Sequence, residues 1–257
     1  MAKAIIQGMI VRGSFQPEEI ACLGGPGNSA QDLAGETGIN RYESLEALFI
    51  DSPIIVLAFK PHHLKTLGPE VHEHTSGKYI LSILAGIPIH KLLSHFPSAS
   101  NVVRAMPNIP ASIGRGVTGY APWKALKGGE LQSIRLILEA MGTAIEVEER
   151  LLEGVTGVSG SGVAFVYEFL KALRDGGKNQ GLPESLAMEF AQETVLGAAL
   201  LLKESGRSLE ALQDSVVTPG GTTDAGLKTL HAAGFSKIVQ DAVAASAQRS
   251  LEISKEG

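Results

Sequence analysis

At 257 residues the chain is longer than a common single domain, so two domains, or one domain with an oligomerisation element, are expected. A formal charge of -5 argues against a partner bound through a nucleic-acid backbone, which takes clustered Lys and Arg. A hydrophobic share of 44% against 19% charged residues excludes a disordered or fibrous chain. The single cysteine, Cys22, allows neither an internal disulfide nor a thiolate-rich metal site, so the expectation is a cytoplasmic protein with a small-molecule ligand.

Residues 1–12 place Ile5, Ile6, Met9 and Ile10 at helical spacing, and Gly13 follows where a helix-terminating glycine belongs. That run is too short to span a bilayer or act as a secretion signal, and no other stretch reaches about 18 uninterrupted apolar residues, so no membrane partner is expected. An apolar run at 20–23 leads into the turn Gly24-Gly25-Pro26-Gly27 and a second helix, whose Ser29 and Asp32 resemble a capping box. The alternation then repeats: a short helix at 44–49, a buried strand at 53–58 (PIIVLA), a mostly helical 61–71, a strand at 79–84 (YILSIL), a helix near 88–93 and a strand at 101–105. Continuous rather than alternating apolar runs mark strands covered on both faces. The predicted fold class is therefore α/β, a Rossmann-like doubly wound parallel sheet with flanking helices.

After residues 116–121, a helix at 128–141 and a strand near 144–147, the strand signals stop. Helical periodicity takes over at 162–176, 183–205, 209–214, 223–233 and 235–254. A dinucleotide-binding domain over 1–148 and an all-helical domain over 149–257 are predicted. Segments such as GAALLL at 197–202 and DAVAASA at 241–247 are apolar over much of a helix circumference and need partners on several sides. A homodimer at least is expected, with a compact monomeric bundle as the alternative.

Three stretches carry candidate chemistry without the usual acids, bases or metal ligands. RAMPNIP at 104–110 leaves a predicted strand and is stiffened by two prolines, placing a loop where open α/β sheets bind ligands. SGSG at 159–162 precedes a long helix, where free N–H groups and the positive dipole end suit an anion; an ordinary N-cap is the plainer alternative. TPGGTT at 218–223 opens another helix with backbone donors and hydroxyls, and two such starts together favour a carboxylate site over a tight turn alone. The paired histidines His62-His63 and His72-x-His74 lack the Cys or spaced carboxylate of a tetrahedral set, so no metal site is expected. Glu149, Arg150 and Glu153 read as a solvated helix start.

RAMPNIP, SGSGVAF, TPGGTTDAGLKTL and GFSKIVQDAVAASAQRS, in this order and spacing, closely resemble the signature blocks of the pyrroline-5-carboxylate reductases. AFKP at 58–61 and SILAGI at 82–87 look like family blocks too, so the resemblance covers essentially the whole chain. It implies a Rossmann domain followed by a helical domain that interlocks with a second subunit, giving a homodimer or higher homo-oligomer. It also implies hydride transfer from NAD(P)H to the ring imine of 1-pyrroline-5-carboxylate, giving L-proline. Carried over by position, Ser161, Gly221, Thr222 and Thr223 surround the substrate carboxylate and ring, while Ala58, Lys60, Pro61, Ala85 and Asn108 meet the ribose and nicotinamide end of the cofactor. Thr223 is the family-matched candidate for a catalytic proton donor, directly or through water. A protonated cyclic imine is already an electrophile, so alignment of the donor carbon matters more than a protein acid.

The turn at 24–29 (GGPGNS) offers no acidic side chain for a ribose 2′-hydroxyl, which favours NADPH, with NADH possible; Asn28 and Ser29 are the candidates to receive the 2′-phosphate. The resemblance further implies a strand and glycine fingerprint ahead of Met1, because MAKAIIQGM matches the helix that follows them. An in-frame upstream segment is expected, a non-catalytic paralogue with a truncated nucleotide domain being the alternative. A β-hydroxyacid-type dehydrogenase shares the two-domain layout, but Lys171, Arg174 and Lys178 do not stand in its Lys and Asn motif. Val163 and Ile109 replace the Pro and Thr common in the family, and Phe165 keeps its aromatic residue.

Overall fold

The structure, a computed structural model, describes residues 1–25, 27–68 and 70–256. Pro26 of the predicted glycine turn and the His72 side chain of the paired histidines lie outside the described residues. Two compact units result: Met1–Gly160 together with the chain from Ala245 onward, and Ser161–Ala244.

The first unit opens on α1 (Ala2–Val11). Gly13 takes φ +64°, its N–H donates to Ile10 O and that of Ser14 to Met9 O, the paired bonds of a left-handed helix stop. β1 (Ala21–Cys22) precedes α2 (Ser29–Thr37). The Ser29–Asp32 capping box is not formed: Asn28 is the N-cap, without a side-chain cap bond, and Ser29 already lies inside the helix, past the capping position. β2 (Asn40–Arg41), which no apolar run announces, pairs with β1 in parallel, and Ser44 caps α3 (Leu45–Asp51) by accepting from the Ala47 N–H.

A separate five-stranded sheet runs β3 (Ile54–Leu57), β4 (Tyr79–Ser82), β5 (Asn101–Met106), β6 (Gly116–Pro122) and β7 (Gly142–Glu146), in that spatial order. β3, β4 and β5 are parallel as predicted, but β6 runs antiparallel to β5 and β7 follows β6. The link over 107–115 holds only a 3-10 turn, Ile109–Ile113, and a parallel return needs a crossover of a dozen or more residues. Between β3 and β4 the chain makes a 3-10 helix, Pro61–Thr66, and α4 (Glu70–Glu73), two short helical pieces over the stretch expected to be mostly helical. α5 (Ile89–His95), α6 (Gly128–Glu139) and α7 (Leu152–Val155) complete the unit, with the last turns of the C-terminal helix.

Both faces of the central strands are covered, which is why their sequences do not alternate. Leu81 and Val103 pack with Ile5 and Met9 of α1 and Ile134 and Leu138 of α6. Their strand neighbours Ile80 and Val102 point the other way, into a second cluster with Phe49, Leu92 and Phe96.

In the second unit α8 (Gly162–Asn179), α9 (Glu184–Ser205), α10 (Leu209–Ser215) and α11 (Thr222–Ala232) are followed by the first part of α12 (Phe235–Glu256), each within a few residues of its predicted span. Among the described residues of this unit only Ala187 and Ala191 are buried apolar side chains, while Tyr167, Phe169, Phe190, Leu196, Leu201 and Ile238 are exposed. α9 is the one described helix long and apolar enough to cross a bilayer by length and composition. Glu189 and Glu193 stand in its middle, where a carboxylate is costly in lipid.

Candidate active site

β5 and the residues just after it deliver two buried polar side chains, Arg104 and Asn108, to residues 149–160. Arg104 has a side chain only 7% exposed, and its guanidinium donates to Glu153 at 2.8 Å and lies 3.6 Å from Glu149. Glu153 also accepts from the Ser250 hydroxyl on α12, and Glu149 takes the Ile89 N–H at the start of α5 at 2.7 Å. Glu149 and Glu153 are therefore not a solvated helix start; only Arg150 of that trio stays in solvent, paired with Glu148. A guanidinium in an otherwise apolar strand must find its counter-charge inside, and the following segment supplies it.

Past α7, residues Thr156–Gly160 form a π turn, and Ser161 has helical backbone angles (φ -82°, ψ -29°) as the N-cap of α8. SGSG thus precedes α8 as its sequence predicts, but follows helical turns, with Ser159 and Gly160 in the π turn and Gly162 opening α8. The reason is that residues 149–155 are good helix formers and the glycines accept the widened ring. Asn108 bridges this turn to the sheet: Nδ2 donates to Ser159 O at 3.2 Å and Oδ1 accepts from the Val117 N–H at 3.0 Å.

The other predicted cofactor residues fall at strand ends and turns. Ala58 follows β3 half-buried, Lys60 is the exposed N-cap of the 3-10 helix that Pro61 opens, and Ala85 is exposed in the turn after β4, ahead of Gly86 at φ +72°. Pro61 and Ala85 are brought together in one cavity of about 580 Å³, whose lining adds His62, Lys65, Lys91 and His95 and no carboxylate. Such a wall is suited to an anionic ligand. Asn28 and Ser29 are exposed at the start of α2. In the second unit Gly221 is the N-cap of α11 and Thr222 and Thr223 are its first residues, where backbone N–H groups lack intrahelical partners. Asp224 reaches back to accept the Gly220 N–H at 2.8 Å; the Lys228 ammonium, and then that N–H, hold its carboxyl below the ordinary range. Among the described residues no group of three or more His, Cys, Asp or Glu is placed to hold a metal ion.

Two family models match the chain: pyrroline-5-carboxylate reductase dimerisation over residues 149–253, and NADP oxidoreductase, coenzyme F420-dependent, over residues 1–86. A pyrroline-5-carboxylate reductase of Synechocystis sp. is 37% identical over 257 residues, covering 99% of this chain and 95% of its own. The chain belongs to the pyrroline-5-carboxylate reductase family. The Methanosarcina acetivorans reductase is 35% identical with the same coverage. Among solved structures, the reductase of Coxiella burnetii superposes with a TM-score of 0.91 at 28% identity, covering 98% of this chain and 94% of that one. The Plasmodium falciparum reductase, solved with NADP bound, gives 0.85 at 28% identity over 98% and 93%.

Two further residues take part that their motifs do not announce. Arg104 opens the RAMPNIP stretch, and an arginine between Val103 and Ala105 demands a buried partner. Arg41 lies opposite Cys22 across the β1–β2 ladder, at the end of the strand that enters the 24–29 turn. Burial pushes the Cys22 thiol up, and the nearby Arg41 charge, itself paired with Glu43 at 3.0 Å, opposes that rise. The signal was hidden because β2 is two exposed polar residues with no apolar pattern.

Proposed function

We propose that this chain is an NADPH-dependent pyrroline-5-carboxylate reductase, which reduces the ring imine of 1-pyrroline-5-carboxylate to L-proline. The observation that carries this is the full-length likeness to named reductases, together with an acid-free, basic cavity at Pro61 and Ala85 in the Rossmann-like unit. The dinucleotide, when bound, supplies the hydride. Ala58, Lys60, Pro61 and Ala85 hold its ribose and nicotinamide end, while Asn28 and Ser29, aided by the Arg41 charge, take the 2′-phosphate. The absence of a carboxylate from the 24–29 turn favours NADPH over NADH.

Ser161, Gly221, Thr222 and Thr223 take the substrate carboxylate and ring. They stand at helix starts and offer hydroxyls and small side chains, without bulk and without a charge that would compete with the iminium. The carbon of the protonated imine accepts the hydride and the ring nitrogen keeps its proton, which leaves a neutral secondary amine and needs no strong protein acid. Thr223 delivers the second proton of the product's ammonium, directly or relayed from water that reprotonates its hydroxyl. The helical unit pairs with a second copy, in a homodimer or larger homo-oligomer, which covers the apolar side chains it leaves exposed. The setting is cytoplasmic, consistent with one half-buried thiol and no disulfide.

Turnover of NADPH with pyrroline-5-carboxylate tests the function, and Thr223→Ala tests the proton. The variant is expected to lose about tenfold or more in kcat. Unchanged kcat with raised KM would remove the proton role and leave Thr223 a binding residue.

A further inference from the structure

We propose that Asn108 is a positioning residue: its carboxamide fixes the turn that delivers Ser161 and takes no direct part in holding the dinucleotide. The inference rests on the reductase function above and deepens it. Asn108 follows the last residue of β5 by two positions and is buried. A carboxamide has one donor end and one acceptor end, and both are engaged within the first unit, by Ser159 O and by the Val117 N–H.

The bond to Ser159 has a local cause. In a π turn the hydrogen-bonded ring is one residue wider than in an α-helix, which interrupts the regular ladder at that point and leaves side chains to help fix it. Ser159 sits in the π turn Thr156–Gly160, its hydroxyl bonds back to Val155 O, and Asn108 Nδ2 supplies the donor to its carbonyl. The turn is also pressed against β5: a Cβ on Gly160 would come within 3.1 Å of the Met106 methyl. The carboxamide thus acts as a strut from β6, through Val117, to the residue two places before Ser161. Where catalysis is alignment, a displaced turn costs rate.

An aspartate at 108 has the same shape and keeps the acceptor for Val117, but when ionised it turns a second oxygen on Ser159 O; when protonated it donates again. Asn108→Asp and the apolar, similarly sized Asn108→Leu should be compared with the unaltered enzyme. Expected for N108D is a loss of about tenfold in kcat/KM for pyrroline-5-carboxylate at neutral pH, with NADPH Kd, read from nucleotide fluorescence, changed less than about twofold. On acidification N108D should regain activity relative to the unaltered enzyme while N108L does not. A NADPH Kd that weakens in step with turnover would overturn the proposal and make Asn108 a cofactor ligand, as would an N108D pH profile parallel to that of the unaltered enzyme. If the unaltered protein itself shows no turnover, the reductase function fails, and amide hydrogen exchange still decides the strut. N108L should then exchange faster at Val117 and across 157–161, with β3 and β4 unchanged, and unaltered protection there would overturn the proposal.

Discussion

Arg104 shows how one residue ties distant parts of the chain. Its partners come from the segment after β7 and, through Ser250, from α12. Because the guanidinium is almost fully buried, removing Glu153 strands a charge beside the more distant Glu149. Glu153→Ala is therefore expected to destabilise the protein by about 3 kcal/mol in urea unfolding, while Arg104→Met combined with Glu153→Leu costs much less. Equal losses in the single and double variants would show that packing, not charge pairing, holds this joint. The network was half legible: Arg104 interrupts an apolar strand, but which acids meet it depends on a fold in which residues 149 to 153 return to β5. Local charge patterning alone made them a solvated face. The placement of SGSG and TPGGTT at the starts of α8 and α11 was legible because glycine and hydroxyl residues gather at helix starts. The place of Asn108 just past β5 was legible, and its hydrogen bonds were not, since they depend on a π turn that has no period of its own.

Among the elements, the strong patterns were the ones that sequence could place. α8, α9 and α12 were found by periodicity and the buried strands β3 to β5 by continuous apolar runs, because burial on both faces forces those compositions. β2 escaped because two exposed residues carry no pattern, and the reversal at β6 because strand direction is set by the length of the preceding link, not by the strand. The β6–β7 pair gives a sharp test. Gly142 takes φ +132°, and a Cβ there would lie 2.1 Å from Gly116 O, backbone against backbone. Gly142→Ala is expected to cost about 3 kcal/mol or more. Gly129, inside α6 with nothing within 4 Å of its would-be Cβ, should gain about 0.5–1 kcal/mol on replacement by Ala. Thermal unfolding of both variants checks the pair, and similar shifts in the two would contradict the assigned strand contact.

For the whole molecule, the second unit has too little core to stand alone. Its apolar side chains are exposed on helices inside the region that matches a dimerisation family, so burial against another copy is the economical explanation. Light scattering is expected to give at least a dimer mass, and Phe190→Glu, at a side chain 57% exposed, to shift it toward monomer. A monomer before substitution would mean that something else covers this surface. Hydride delivery from NADPH to a cyclic imine can be followed with the cofactor deuterated at the transferring position of the nicotinamide ring. L-Proline is expected to carry one deuterium on the former imine carbon, formed in step with loss of the reduced-nicotinamide absorbance. NADPH consumption without labelled proline, or no proline at all, would contradict it.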